Sequence, residues 1–156
     1  ESKYIDGGRD MNISKYVCAL ALGASAIWFS PSGFAETMPY TDRSRVANGK
    51  IVYDTHCAAC HGGNLQGQAN WQVRNNDGYL PAPPHDETGH TWHHPDQFLF
   101  EWTKFGPQHF AGSDYKSIMP PYNGVLSDPE IWDALAYIKS KWPESIRIRH
   151  TQAFTK

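Results

Sequence analysis

The chain has 156 residues, 40% hydrophobic and 19% charged, with a formal net charge of −2. It is too polar for a multi-span membrane protein, too apolar for a disordered chain, and has no basic excess for nucleic acid. Three cysteines exclude a disulfide-dense scaffold, while eight histidines and six tryptophans make the chain rich in imidazoles and large aromatics.

Residues 1–10 precede a plausible start at Met11 and are set aside as upstream residues. From Met11 a short polar stretch carrying Lys15 leads into an uncharged apolar run from Tyr16 to Phe29. Ser30-Pro31-Ser32-Gly33-Phe34-Ala35 follows, with small residues at Gly33 and Ala35. Basic stretch, apolar run and small-residue site, in that order, predict a secretory signal peptide over 11–35, cleaved after Ala35. As a helix the run would span about 21 Å, short of the roughly 30 Å core of a bilayer. An uncleaved N-terminal anchor is the alternative. Cys18 lies inside this run without the neighbours of a lipidation site, so two cysteines and all eight histidines belong to the remaining chain.

The first predicted helix runs from Asp42 to Asp54, with Val46, Gly49 and Tyr53 on one face and Asp42 or Ser44 as N-cap. It leads into Cys57-Ala58-Ala59-Cys60-His61. This is the C-x-x-C-H signature of covalent haem attachment. Two thiols can add across the two vinyl groups of haem, and the histidine that follows is placed beneath the iron. A thioredoxin-like redox pair or half of a zinc site would share the bare C-x-x-C. The first wants a βαβ setting and the second further ligands nearby, and neither is evident. The reading is one covalent haem c, with Cys57 and Cys60 as thioethers and His61 as an axial ligand of the iron.

His85, His90, His93 and His94 fall close together, with His109 further on. Imidazoles suit copper or zinc, but capping, packing on aromatics or simple exposure explains them equally well. Trp71, Trp92 and Trp102 are either core aromatics or neighbours of the haem edge and its propionates. A middle helix is predicted over Asp96–Phe105, stopped by Gly106-Pro107. Met119 is the methionine left in the body of the chain, followed by Pro120-Pro121, whose fixed backbone makes a rigid loop. A thioether is a soft donor for haem iron, and Met119 is the expected second axial ligand. Core filling by Met119, or a histidine in its place on the iron, is the alternative. The last strong helix opens on a Ser127/Glu130 capping box and carries Ile131, Leu135, Ile138 and Trp142 on one stripe. Lys139 and Lys141 fall in its final turn, and Pro143 ends it. Residues 143–156 form a tail with Arg147, Arg149, His150 and Lys156, read as a solvated strap or a dock for an acidic partner.

No stretch alternates with period two, so the fold class is all-α: three to five short helices and long loops around one covalently bound haem. Over roughly Thr41 to Trp142 the chain resembles the monohaem class I c-type cytochromes, the soluble periplasmic type. Asn48-Gly49-Lys50-Ile51-Val52-Tyr53 running into the Cys57–Gly62 block carries the resemblance, with the Met119-Pro120-Pro121 loop and the helix ending at Trp142. It places the domain at 36–142. It also implies that Gly49 lets an aromatic, Tyr137, cross closely. Small members often carry Gly-Pro-x-Leu after the haem motif. Here that region is altered to Pro81-Ala82-Pro83-Pro84-His85, and a carbonyl within Pro81–Pro83 is expected to accept the Nδ1–H of His61.

The resulting expectation is a periplasmic electron-transfer protein and not an enzyme, because His61 and Met119 would leave no open site on the iron. Its partners would be redox proteins in transient encounters. It would be a monomer unless it serves as the haem c subunit of a larger respiratory oxidase or dehydrogenase. An uncleaved anchor would favour that alternative.

Overall fold

The computed structural model describes residues 37–154; the expected signal peptide, Cys18 and the upstream residues lie outside these, as do Thr155 and Lys156. Helix α1, Arg43–His56, begins where the Asp42 carboxylate accepts from the N–H groups of Ser44 and Arg45. These are donors that a first helical turn leaves open. Helix α2, Ala58–His61, is a single turn directly after it. A long loop leads to a 3₁₀ turn at Thr91–His93, then to α3, Asp96–Phe105, and α4, Pro107–Ala111. Helix α5, Asp128–Lys141, and α6, Glu144–Phe154, complete the order. No strand occurs among the described residues beyond one isolated bridge, Asn123 with Leu126. None of the described helices is long and apolar enough to cross a membrane.

The fold is all-α, but the described residues hold six α-helices where three to five were expected. Two of the additions, α2 and α4, are single turns. The third, α6, occupies the supposed tail. Its residues are mostly polar, so its sequence looks solvated, yet His150 is buried and Ile146 and Arg147 are half-buried.

The frame is the crossing of α1 over α5. A Cβ on Gly49 would lie 1.8 Å from the Asp133 carbonyl oxygen and 2.4 Å from its carbon. The two backbones touch there, and the atoms nearest to Gly49 belong to the Asp133 peptide. One turn along both helices, Tyr137 packs on Tyr53 with ring centroids 5.4 Å apart. Arg45 pairs with the Asp133 carboxylate beside the same crossing.

Helix α5 is central and is buried continuously from Ile131 to Lys139. The predicted stripe of Ile131, Leu135, Ile138 and Trp142 is buried, and Trp132 stacks on Phe100 of α3 at 4.6 Å. The Ser127/Glu130 box forms as predicted: the Glu130 carboxylate accepts from Ser127 N–H at 2.8 Å. Lys139 departs from expectation. It does not reach solvent at the helix end but donates to both Asp96 carboxylate oxygens at 3.2 Å, with 5% of its side chain exposed. The backbone N–H of Met38 and the His150 ring approach the same carboxylate, at 2.8 and 3.4 Å.

Candidate functional site

Cys57 closes α1 and opens α2, so Cys57, Cys60 and His61 stand at i, i+3 and i+4 and share one side of a helical turn. All three line a cavity of about 410 Å³ whose other walls come from the 80–85 loop, α3, the 115–122 segment and α5. Cys57 is half-buried and Cys60 exposed, and neither is paired in a disulfide. Burial, and secondarily the neighbouring Cys60, push the Cys57 thiol up to about 11.

His61 is buried, and its Nδ1 lies 2.8 Å from the carbonyl of Pro83. A carbonyl can only accept, so Nδ1 carries the proton and Nε2 keeps a free lone pair. Burial lowers the affinity of this ring for a second proton, and the Pro83 bond opposes that shift. The expected carbonyl within Pro81–Pro83 is therefore that of Pro83. Its loop is laced to the haem-motif side: Gly67 N–H donates to His61 O at 2.8 Å and Gln68 N–H to Ala82 O at 2.9 Å. Gly67 has φ +66°, and a Cβ there would stand 2.4 Å from Pro84 N. Only glycine lets the two strands of this loop close so tightly.

Met119 is half-buried and lines the same cavity. Its segment is tied down just after Met119, to α1 and to α3. Tyr122 OH donates to His56 O at 2.6 Å, and the N–H groups of Tyr122 and Asn123 donate to Thr103 O and Lys104 O of α3. Burial raises the Tyr122 phenol to about 12, so it stays protonated and keeps donating. The four residues picked out by sequence thus come to one cavity from α1, α2 and the 115–122 segment.

Of the histidine cluster, His85, His90 and His94 also line the cavity, whereas His93 and His109 do not. The rings are spent on stacking: His90 on Trp71 at 5.3 Å, His94 on Phe98 at 4.8 Å and His93 on Trp92 at 3.7 Å. No group of three His, Cys, Asp or Glu side chains among the described residues is placed to hold a metal ion. Trp71 and Trp102 face the cavity; Trp92 does not, and its indole donates to Glu87 O at 3.3 Å. His85 was not singled out from the rest by sequence. It stacks on His61, with centroids 4.0 Å apart and planes 23° from parallel. The signal that could have found it is its place two residues beyond the carbonyl that His61 uses.

The cavity suits a large apolar group. Apart from its histidines, Lys116 is the one side chain among the described residues along its walls that carries a formal charge, and Lys116 Nζ donates to Asp77 O at 2.7 Å. Two thiols on one turn, an imidazole with its outer nitrogen already satisfied, and a thioether form a donor set that fits a covalently attached haem. The family model described as Cytochrome c matches residues 46–142. The comparisons with curated proteins and with solved structures gave no match.

Proposed function

The chain belongs to the cytochrome c family, and on that premise we propose that it carries single electrons between proteins through one haem c held by four of its own residues. Haem-based electron transfer is the work of the family. The finer assignment is that Cys57 and Cys60 form the thioethers, and that His61 and Met119 ligate the iron. The observation that carries it is their meeting on one cavity from separate parts of the chain.

When bound, the haem supplies a one-electron couple, ferrous and ferric. The chain sets the terms on which it works. Pro83 O holds the His61 ring in the tautomer that offers Nε2, and by accepting the Nδ1–H hydrogen bond makes the ring a stronger donor. The Pro120-Pro121 backbone and the Tyr122–His56 bond fix where the Met119 thioether sits. A thioether favours ferrous iron, so a His61/Met119 pair raises the potential. Phe98, Trp102, Leu135 and Ile138 give the cavity apolar walls. With His61 and Met119 both holding the iron, no position would be left for a substrate, which is the character of a carrier and not of an enzyme.

The carrier is exported, acts in the periplasm and meets its redox partners in small, transient contacts. A second reading, a haem subunit of a larger respiratory complex, gains weight from the apolar run 16–29 ahead of the domain, which would tether it if retained. Co-purification with a complex supports that reading; a monomer that exchanges electrons quickly in solution supports the first. The ligand assignment is tested by Met119→Ala. The wild type is expected to be six-coordinate and low-spin in both states, with the weak long-wavelength band of a thioether–ferric bond. The variant is expected to lose that band and to have a lower potential. An unchanged spectrum refutes the Met119 assignment.

A further inference from the structure

His85 is held more completely than a wall residue needs to be. Its ring Nδ1 lies 2.8 Å from Thr91 Oγ1. The Thr91 hydroxyl is itself aimed at Pro84 O, at 3.4 Å, so the oxygen is left to accept from His85 Nδ1–H. The His85 carbonyl takes the indole N–H of Trp142 at 2.8 Å, and its own N–H donates to Leu65 O at 2.8 Å. The ring edge meets Tyr53 at 6.3 Å. Backbone and ring are thus held by Leu65, Thr91 and Trp142, and one face of the ring lies on the His61 imidazole.

We infer that His85 is a positioning residue for the electron-transfer centre, a second imidazole that fixes the plane of His61 and biases the iron toward its ferric state. The inference rests on the reading of His61 as an iron ligand. His61 is constrained in two independent directions. Pro83 O holds it within its own plane, through Nδ1. That single bond leaves the ring free to rock about the Nδ1–O line, and the His85 face at 4.0 Å removes the rocking.

The stack also has an electrostatic sense. His85 is a neutral ring, with one proton committed to Thr91. Its π face is electron-rich, and near-parallel stacking sets it against a ring whose positive character grows when iron is oxidised. Stabilising the ferric form lowers the potential. It therefore moderates the rise that a thioether ligand produces.

The test uses the full chain matured with its haem. His85→Leu removes the flat ring, His85→Phe keeps a ring without the Thr91 bond, and Thr91→Val frees the ring from its tether. Potential and the ferric electron paramagnetic resonance g-values are read, since these report ligand-plane orientation and a merely structural role would not move them. His85→Leu is expected to raise the ferrous-to-ferric ratio at fixed poise about threefold, the size of a modest ring–cation contact, and to shift the g-values. His85→Phe should fall nearer the wild type on both. Thr91→Val, which leaves the core packing in place, should shift the g-values with the fold intact. Wild-type potential and g-values in His85→Leu overturn the proposal. Should His85→Leu fail to mature, unchanged g-values in Thr91→Val overturn it. A low-spin spectrum lost in both His85 variants yet kept in His61→Ala would make His85 the ligand itself; the reading of His61 then fails, and the positioning role fails with it.

Discussion

His61 and His150 are two buried histidines with nearly the same local chemistry. Each gives a ring N–H to a backbone carbonyl, His61 to Pro83 at 2.8 Å and His150 to His94 at 2.9 Å. Burial is the leading cause that lowers the proton affinity of both. They differ in what the second nitrogen meets. His61 Nε2 has a cavity before it, with two thiols alongside. His150 Nδ1 is walled in with no hydrogen-bond partner, and the ring lies between the Asp96–Lys139 pair and Trp142. A buried neutral imidazole can serve as a ligand where the fold leaves its free nitrogen an opening. Where the fold closes that opening, it becomes a strut. The two regions share His94, which lines the cavity with its side chain and anchors α6 with its carbonyl.

Substitutions can separate the ligand region from the strut region. The largest effect is expected from replacing Cys57 and Cys60 together by alanine. No thioether can then form, and haem staining after denaturing electrophoresis should fall to background. On the strut side, Lys139→Met leaves the Asp96 carboxylate buried without its cation. Breaking one partner of a buried pair costs about 3–5 kcal/mol, read as a fall in the urea midpoint. The haem spectrum should be unaltered, because Lys139 does not line the cavity. Adding Asp96→Asn should recover part of the loss. A spectral change in Lys139→Met would join the two regions that the comparison divides.

Between them stands the crossing of α1 and α5. Gly49→Ala puts a methyl 1.8 Å from the Asp133 oxygen, a backbone atom that cannot swing aside. The helices must separate, at a cost of about 1–3 kcal/mol for a forced methyl. The cavity borrows walls from both helices, so this variant should lower the thermal midpoint and weaken the Met119 signature together. Moving one without the other would show that the crossing serves only one region.

The two regions also differ in how readily the sequence shows them. The ligand side is carried by short-range pattern. Cys57, Cys60 and His61 sit within one turn, and α3 matches Asp96–Phe105 because Gly106-Pro107 halts an apolar repeat. The Ser127/Glu130 box marks the start of α5 for the same reason. The strut side is assembled from far-apart residues. Asp96 and Lys139 are 43 positions apart, and His150 and His94 are 56. A lysine in the last turn of a helix has a sufficient local explanation in the helix dipole, so nothing in its neighbours announces burial. Helix α6 stayed hidden because the face it buries is an imidazole and one isoleucine, not an apolar stripe. The His61–His85 stack lies between these cases: both residues belong to recognisable motifs, but the loop that brings them together is held by glycine conformation and backbone bonds.

The smallest expected effect is the most direct probe of the strut. His150 folds with its proton affinity lowered from the ordinary value of 6.5, chiefly by burial and then by the Lys139 charge. Below about pH 6.5 the unfolded chain binds a proton that the folded ring resists. The unfolded state then holds more protons, so stability rises with pH across this window. The contribution of His150 is complete above the unfolded value and is lost as pH falls toward the folded one. His85, His90 and His94 are shifted the same way, so the wild-type slope is a sum and only a difference isolates one ring. His150→Gln supplies it. The amide can still donate to His94 O but takes up no proton in this range. Urea midpoints from about pH 7.5 to 5 should fall less steeply in the variant, and the two curves should converge on the acid side. Equal slopes would mean that His150 accepts its proton as easily in the fold as outside it. The ring would then have access to solvent through α6, and the contrast with His61 would lose its physical basis.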